Sequence, residues 1–354
     1  MIDFLTILKN YQQILWPVID KAISDANTFP KFCQIEKKYQ PQLDFHRQIV
    51  SEYPSRLGKY FRPGLLLLTA QAMGVKLDTA LNTAAAMQIS EDWILNHDDI
   101  EDDSPDRRGK PALHKMYGIE LAINAGDALH LIMWQVLSNN FQTLESKLAV
   151  RIIDEFGLML NRTVLGQGIE LKWALDNRFD LSDEDNYLVL ESKTGYYTIA
   201  GPMRLGAILA NATDNQLDTI FKFGVLLGRS FQIIDDLLDL TSDFSGMKKI
   251  KGNDIYENKK TIMLLHLYRT ATGQDKNNLV EILNKFRCQK TPEDITTVID
   301  MMNKYGSLDY GRQLAQKFAN EAKTIFHQDL TFLSVDPYRQ QLESAIDFII
   351  NRNH

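Results

Sequence analysis

Cysteines and long apolar runs are both scarce in this chain of 354 residues. The two cysteines, Cys33 and Cys288, lie far apart and match no metal-ligand spacing. No apolar run approaches the roughly 18 residues of a membrane-spanning helix, so we expect no membrane span. The first residues, "MIDFLTILKNYQQ", have no signal-peptide pattern. These absences favour a protein of the reducing cytoplasm.

Net positive charge is lacking too. The chain carries 46 acidic and 39 basic residues, which gives a formal net charge of −7. Because a nucleic-acid-binding protein needs a basic face for its phosphate contacts, this charge argues against that class. A composition of 44% hydrophobic and 24% charged residues is typical of a globular protein with a sizeable core.

Alternating strand patterns are absent, and the apolar residues instead recur at three- and four-residue intervals, which predicts helices. Helix-capping patterns occur at 182–185 ("SDED") and 291–294 ("TPED"). The clearest loops are 176–181 and 242–253, and no linker divides the chain. We expect an all-α fold in one large domain, residues 1–354. The predicted helices span 3–25, 36–52, 62–73, 77–103, 119–140, 146–175, 184–211, 215–241, 256–271, 276–287, 292–304, 308–329 and 336–352.

Two clusters of carboxylates share one spacing, "DDIED" at 98–102 and "DDLLD" at 235–239. In each, the first and last acids lie on one helix face, one turn apart. Acids near the C-terminal end of a helix are unfavourable, and a single such cluster would as readily be a solvated face. Two matched clusters in apolar sequence favour a divalent metal instead. Carboxylates with retained water suit Mg²⁺, which is usually shared with substrate phosphates.

Basic residues accompany both acidic clusters and could bind phosphate oxygens. We expect Lys251 and Lys260 to be solvated surface side chains. Lys193 lies among apolar residues, so its ammonium needs an anionic partner. The basic candidates are Lys59 and Arg62 in "GKYFRP", Arg107 and Arg108 in "RRG", Lys193 in "ESKTG", and Lys249, Lys251, Lys259 and Lys260 in "KKIKGNDIYENKKT".

From about residue 55 to 265, these motifs resemble, in consistent order, the trans-isoprenyl diphosphate synthases of the polyprenyl synthetase family. "GKYFRP" is similar to the family's G-K-x-x-R motif, and "DDIEDDSPDRRGKPALH" to its first aspartate-rich motif. "GQGIEL" is similar to G-Q-x-x-D, "KTG" to the K-T motif, and "FQIIDDLLD" to the second aspartate-rich motif. "GNDIYENKKT" is similar to the closing G-x-D-x-x-x-x-K element.

The resemblance implies a helix bundle of the isoprenoid synthase type with a central active-site cavity, and a homodimer. It also implies a Mg²⁺-dependent prenyltransferase that joins isopentenyl diphosphate to an allylic diphosphate, with three Mg²⁺ ions per site when substrate is bound. Asp98, Asp102 and Asp235 would ligate Mg²⁺. The remaining acids of the clusters would complete the metal and water shell; these are Asp99, Asp236 and Asp239.

The resemblance also assigns the cations and the polar groups of the site. Thr194 and Gln232 would face the developing allylic cation, and Lys249 is a further candidate for binding diphosphate. Arg107, Lys193 and Lys259 would bind the allylic diphosphate, and Lys59, Arg62 and Arg108 would bind isopentenyl diphosphate.

The chain departs from the family pattern in three places, and the first, Leu57 and Tyr60 in place of residues of the usual G-G-K-R, does not abolish the metal site. Glu91 stands where the family usually has His or Gln, which donates a hydrogen bond to isopentenyl diphosphate. A carboxylate cannot donate unless it is protonated, so Glu91 could weaken binding of this substrate. Glu170 replaces the usual Asp in "GQGIEL" and could still reach a metal through its longer side chain.

The product length depends in this family on the side chains four and five residues before the first acidic cluster, here Ile94 and Trp93. A rigid tryptophan at the floor of the pocket should stop elongation early. We therefore expect a short product, C15 or C20. The other interpretation of Trp93 is an ordinary core aromatic that points elsewhere.

Two other functions share parts of this pattern. A weakly active or silent subunit of a heteromeric synthase would typically lose carboxylates of the two clusters, whereas all six are present; only Glu91 favours this alternative. A class I terpene cyclase would usually replace the second cluster with a mixed Asn/Ser/Glu motif, which "DDLLD" disfavours.

Overall fold

The computed structural model describes residues 3–241 and 251–350 and is built almost entirely of helices. The first half contains α1 (Phe4–Asp25), α2 (Gln40–Ser55), α3 (Phe61–Ala72), α4 (Leu77–Glu101), α5 (Leu113–Tyr117), α6 (Ile119–Ser138), α7 (Asn140–Thr143) and α8 (Ser146–Leu175). The second half contains α9 (Asp183–Val189), a π-helix (Leu190–Ala200), α10 (Gly201–Leu209), α11 (Asp214–Thr241), α12 (Asn253–Tyr256), α13 (Ile262–Thr270), α14 (Gly273–Leu283), α15 (Pro292–Lys304), α16 (Ser307–Gln328) and α17 (Tyr338–Ile350). Short 3₁₀ turns lie at Lys31–Cys33, Lys37–Tyr39 and Arg287–Gln289. The predicted all-α class is confirmed.

The predicted helices agree with these bounds where periodicity and capping act together. The helices at 146–175 and 292–304 have the predicted limits. Ser182 and Thr291 both form capping boxes with the acid three residues later. Two predicted helices began several residues too early. The helix at 36–52 begins only at 40, after a 3₁₀ turn, and the helix at 256–271 begins only at 262, after α12 has ended.

One strand pair contradicts the expectation of no strands. The strands β1 (Asp106–Arg107) and β2 (Lys110–Pro111) pair antiparallel. Arg108 and Gly109 between them have φ angles of 50° and 77°, the signs that a two-residue type I′ turn requires. Strands of two residues are too short to show an alternating pattern, so no periodicity indicates them.

The chain divides into two compact units. The first comprises the described parts of Met1–Phe156, Pro202–Thr213 and Leu333–Leu342. Its core contains the consecutive leucines 65–68 of α3, all buried, and the alanine-rich stretch 84–86 of α4. Small side chains allow close helix packing, and α4 packs along α6.

The second unit comprises the described parts of Gly157–Gly201, Asp214–Phe332 and Glu343–His354. In it α11 packs against the π-helix and against α16. The core residues Leu237, Met263, Val298 and Phe318 belong to one apolar cluster. No helix in the described chain has both the length and the apolar character needed to cross a membrane. One domain over 1–354 stays a prediction.

Candidate active site

The first acidic cluster lies at the C-terminal end of α4, as predicted. The helix ends at Glu101, and the backbone N–H of Asp102 donates to the carbonyl of Asp98 at 2.9 Å. Asp98 and Asp102 are both half-buried, whereas Asp99 is fully buried. The sequence spacing therefore separates the three acids into two that approach the surface and one that points inward.

Asp99 is bound on both oxygens by groups of the first unit. The Tyr53 hydroxyl donates to Oδ2 at 2.6 Å, and Arg107 Nε lies 3.0 Å from each oxygen. A second Arg107 nitrogen, Nη2, donates to Oδ1. Burial disfavours the charge of Arg107, but Asp99 outweighs it and holds the Arg107 pKa above its ordinary value. Asp99 thus fixes the direction of the Arg107 guanidinium, and sequence reasoning missed Tyr53 because it lies 46 residues earlier.

The cations expected to bind isopentenyl diphosphate gather around the start of α3 and the β1–β2 turn. Lys59 is exposed and Arg62 half-buried. Arg108 Nη1 donates to the Tyr53 carbonyl at 3.0 Å. Gly58 allows this approach, because a Cβ on it would lie 2.6 Å from Arg108 Nη2. Gly58 of "GKYFRP" therefore provides room for Arg108, the second arginine of "RRG".

Two carboxylates of α4 face these arginines. Glu91 Oε2 lies 3.3 Å from Arg62 Nη1, and its Oε1 lies 3.6 Å from Arg108 Nη2. Asp92 accepts a hydrogen bond from Arg108 Nη1 at 2.7 Å and one from Gln88 Nε2 at 3.3 Å. Burial raises the pKa of Asp92 to about 6, although Arg108 opposes the shift. The sequence pattern singled out Glu91 but not Asp92. The only sign of Asp92 in the sequence was that it is a second acid in an apolar helix.

The second acidic cluster lies near the C-terminal end of α11, in the second unit. Asp235 and Asp239 are half-buried and Asp236 is buried. Gln232 Nε2 donates to Asp236 Oδ1 at 2.8 Å, and Lys259 Nζ donates to the same atom at 3.2 Å. Burial raises the pKa of Asp236 to about 7, while Lys259 opposes the shift. The inward and outward arrangement of the first cluster is thus repeated here.

Lys193 and Thr194 lie on the π-helix, whose wider turn changes which side chains share a face. Lys193 Nζ donates to Glu170 Oε2 at 2.8 Å. The sequence indicated that Lys193 needs an anionic partner but assigned Glu170 to the metal and did not identify this pair. Thr194 Oγ1 donates to Gln232 Oε1 at 2.8 Å. Burial disfavours ionisation of Glu170, but Lys193 and Lys259 outweigh it and lower its pKa. Glu170 is therefore a charged residue bound to a lysine in this structure.

Residues 252–254 contact the last acid of the second cluster on α11. The backbone N–H of Gly252 donates to the Asp239 carbonyl at 2.9 Å, and that of Asp254 donates to Asp239 Oδ2 at 3.1 Å. Asp254 also accepts from Lys259 at 3.3 Å. Lys251 is exposed as expected. Lys249 lies outside the described residues.

The expectation that Lys260 is a solvated surface residue is wrong. Lys260 is buried, with 3% of its surface exposed. Its Nζ donates to Asn177 Oδ1 at 2.9 Å and lies 3.9 Å from the centre of the Phe179 ring. The aromatic ring and the amide replace the water that a surface lysine would contact.

Trp93 and Ile94 are both half-buried on α4. The Trp93 ring stacks on His130 of α6, with centroids 4.1 Å apart and an interplanar angle of 17°. Trp134 Nε1 donates to His130 Nε2 at 2.9 Å, so that nitrogen is the acceptor of a neutral imidazole. Burial lowers the pKa of His130, which favours this neutral form. The Trp93 ring is held in place by its neighbour on α6, which sequence reasoning did not identify.

The described residues contain no group of three His, Cys, Asp or Glu side chains already arranged to hold a metal. The donor chemistry nevertheless fits Mg²⁺, because each cluster presents half-buried carboxylates, whose oxygens are suitable ligands. The buried carboxylate beside them binds a basic side chain of the protein.

Comparisons with known proteins identify the family. The polyprenyl synthetase family model matches residues 44–302. A geranylgeranyl diphosphate synthase of Sulfolobus acidocaldarius is 32% identical, over 77% of this chain and 80% of its own length. A geranylfarnesyl diphosphate synthase of Natronomonas pharaonis is 30% identical, over 84% of this chain and 87% of its own.

A solved structure supports the same assignment. A geranylgeranyl pyrophosphate synthetase from Pyrococcus horikoshii superposes with a TM-score of 0.83 at 26% identity, covering 99% of this chain and 98% of that one. The sequence motifs, the helical fold and the family match agree. The chain therefore belongs to the polyprenyl synthetase family.

Proposed function

We propose that this protein is a Mg²⁺-dependent prenyltransferase that condenses isopentenyl diphosphate with an allylic diphosphate to an all-trans C15–C20 prenyl diphosphate. The observation that carries the proposal is that each acidic cluster is joined to its own cations by direct contacts, Asp99 to Arg107 and Asp236 to Lys259. Relatives named geranylgeranyl and geranylfarnesyl diphosphate synthases support this reaction class. The reaction needs the negative charge of a leaving diphosphate to be neutralised, and basic side chains beside metal-binding carboxylates can do this.

Mg²⁺, when bound, would neutralise the leaving diphosphate and polarise its bond to the allylic carbon. Asp98 and Asp102 of the first unit and Asp235 of the second would be Mg²⁺ ligands, and Asp99, Asp236, Asp239 and Glu170 would complete the metal and water shell. Carboxylate oxygens are the hard donors that Mg²⁺ prefers, which supports this assignment. Three ions per site, as the family implies, is part of the proposal.

The chain's own residues would do the remaining work. Lys193 and Lys259 would bind the allylic diphosphate, a role that the family resemblance also gives Arg107. Thr194 donates its hydroxyl hydrogen bond to Gln232, so the lone pairs of its oxygen stay available to an adjacent allylic cation. The double bond of isopentenyl diphosphate would attack that cation, and the released pyrophosphate would accept the proton that is then lost.

The function is tested with purified protein, Mg²⁺, isopentenyl diphosphate and dimethylallyl, geranyl or farnesyl diphosphate in turn, with the products sized by mass spectrometry. A dominant C15 or C20 product supports the proposal. A cyclised hydrocarbon from an allylic diphosphate alone would identify a cyclase instead. Absence of turnover with every primer, despite diphosphate binding, would identify a silent subunit.

Trp93→Ala tests the length of the product. Removal of the indole should open the floor beside His130, so the main product should lengthen by at least one C5 unit. Trp16→Ala on α1 is the matched control and should leave the product unchanged. An unchanged product from Trp93→Ala would show that Trp93 is an ordinary core aromatic.

We also infer a homodimer and a cytoplasmic location. An apolar stripe exposed on α6, with Ile123 at 43% and Leu131 at 64% exposure, supports self-association. Both Cys33 and Cys288 are free and exposed thiols, which supports a reducing compartment.

A further inference from the structure

The cations assigned to isopentenyl diphosphate already face two carboxylates. Arg62 pairs with Glu91, and Arg108 pairs with both Glu91 and Asp92. The side chains of Glu91 and Asp92 are 12% and 1% exposed, so water screens these charges weakly. Arg62 and Arg108 are therefore opposed by two anions inside the first unit.

A diphosphate bound to Arg62 and Arg108 would lie beside these carboxylates. Each arginine could then share its donors between the carboxylate and a phosphate oxygen, but the anions would repel one another. Protonation of one carboxylate removes the repulsion and turns it from a competitor into a hydrogen-bond donor. The geometry thus couples anion binding to proton binding.

We propose that Glu91 and Asp92 act as an internal counter-anion that competes with isopentenyl diphosphate for Arg62 and Arg108, so that binding of this substrate takes up a proton. The inference rests on the proposed function for the identity of the ligand. Glu91 and Asp92 are positioning residues here, because they act through the two arginines.

The groups that face the pair come from three elements. Tyr60 and Arg62 belong to the start of α3, Arg108 to the β1–β2 turn, and Gln88 to α4 itself. Burial raises the pKa of the Tyr60 hydroxyl, so Tyr60 stays neutral across the useful pH range. The arginines keep their charge throughout that range. Asp92, whose pKa is raised to about 6, is therefore the group of this set that is best suited to exchange a proton near neutral pH.

The test is titration calorimetry of isopentenyl diphosphate into the full chain at pH 6.5, in EDTA to prevent Mg²⁺-dependent binding. Two buffers that differ in ionisation enthalpy, MES and Bis-Tris, report the number of protons taken up. The proton exchange of the ligand itself is common to all variants, so differences from the wild type isolate the protein's share.

For the wild type we expect net proton uptake and a Kd that rises severalfold from pH 6 to pH 8. Glu91→Gln should lower the Kd at pH 8 by about tenfold, since it removes a competing charge. Asp92→Asn should remove most of the uptake. Glu52→Gln is the matched control, because Glu52 pairs with Arg56 in the same unit and should change neither quantity.

In turnover assays Glu91→Gln should lower the KM for isopentenyl diphosphate without raising kcat. If no variant turns over but the binding shifts persist, the proposed function fails and this inference stands. If Glu91→Gln and Asp92→Asn, both shown to be folded by their thermal melts, bind no more tightly at pH 8 and take up as many protons as the wild type, the inference is overturned.

Discussion

At the scale of single residues, two cations that serve the proposed reaction, Arg107 and Lys259, are each held by the buried carboxylate of an acidic cluster. Asp99 illustrates this, because its two oxygens are taken by Arg107 and Tyr53. Such a buried, fully bonded acid orients a cation more rigidly than a solvated one does, since its own position is fixed. The sequence motif alone does not distinguish this role from metal ligation.

Asp99→Asn should therefore lower kcat/KM by about 10²-fold, because an amide cannot hold Arg107 as a charged pair. Tyr53→Phe removes one hydrogen bond to the same carboxylate and should cost less, about tenfold. Glu101→Gln on the exposed side of α4 is the control. Steady-state kinetics with each substrate varied would measure kcat/KM for the three variants and check that Asp99→Asn loses more than Tyr53→Phe. Equal activity of Asp99→Asn and the control would refute the role of Asp99.

The burial of Lys260 should make the free energy of unfolding depend on pH in a definite direction. Burial, and then Lys290, lower its pKa to about 7 from the ordinary value of 10.5. Between these values the unfolded chain binds more protons than the folded one, so the stability contribution of Lys260 is lowest below pH 7 and rises toward pH 10.5. Lys260→Met removes the buried charge and should raise the unfolding free energy at pH 7 by about 1–2 kcal/mol.

The gain should shrink as the pH rises to about 10, where the wild-type lysine no longer carries this cost. Urea unfolding at neutral and at alkaline pH measures both values. Lys251→Met, at an exposed position, should show no such trend. A variant less stable than the wild type at both pH values would mean that the contacts with Asn177 and Phe179 outweigh the cost of burial.

At the scale of elements, the π-helix depends on a close approach to α11. A Cβ on Gly228 would lie 2.3 Å from the Gly195 Cα, and backbone atoms cannot move aside as a flexible side chain can. Gly228→Ala should therefore destabilise the fold by about 1–3 kcal/mol and displace Lys193 and Thr194, which lowers kcat. Gly168→Ala is the control, because open space surrounds that position.

Thermal unfolding and kcat measured together separate the two effects. A Gly228→Ala variant that melts earlier but keeps the wild-type kcat at low temperature would show that the π-helix position does not control the reaction. Loss of kcat at a temperature where the variant remains folded is the expected result.

The sequence predicted the elements that local rules define and missed those that only tertiary contacts define. Periodicity and a capping box were enough for the helix at 292–304. The π-helix was predicted as part of one helix over 184–211, because a wider turn changes hydrogen bonding without changing the apolar pattern. The contacts of Tyr53 with Asp99 and of His130 with Trp93 join residues too distant in sequence for any spacing rule.

At the scale of the whole molecule, α6 leaves an apolar stripe uncovered. Ile119, Ile123 and Leu131 are 52%, 43% and 64% exposed and recur on one face, with Asp127 between the last two in the same row. Large contiguous apolar patches are rare on the surface of monomeric proteins and often mark interaction sites. A second copy of the chain is the partner that the family resemblance implies.

Leu131→Glu should therefore shift the protein from dimer to monomer, because a carboxylate buried in an apolar interface is costly. Light scattering coupled to size-exclusion chromatography measures the mass directly, against 40.6 kDa for one chain. Leu175→Glu is the matched control, since Leu175 is 82% exposed at the end of α8 and should leave the mass unchanged. If the wild type already elutes as a monomer, α6 is not a self-association face. If the wild type is a dimer and both variants have its mass, the dimer interface lies elsewhere.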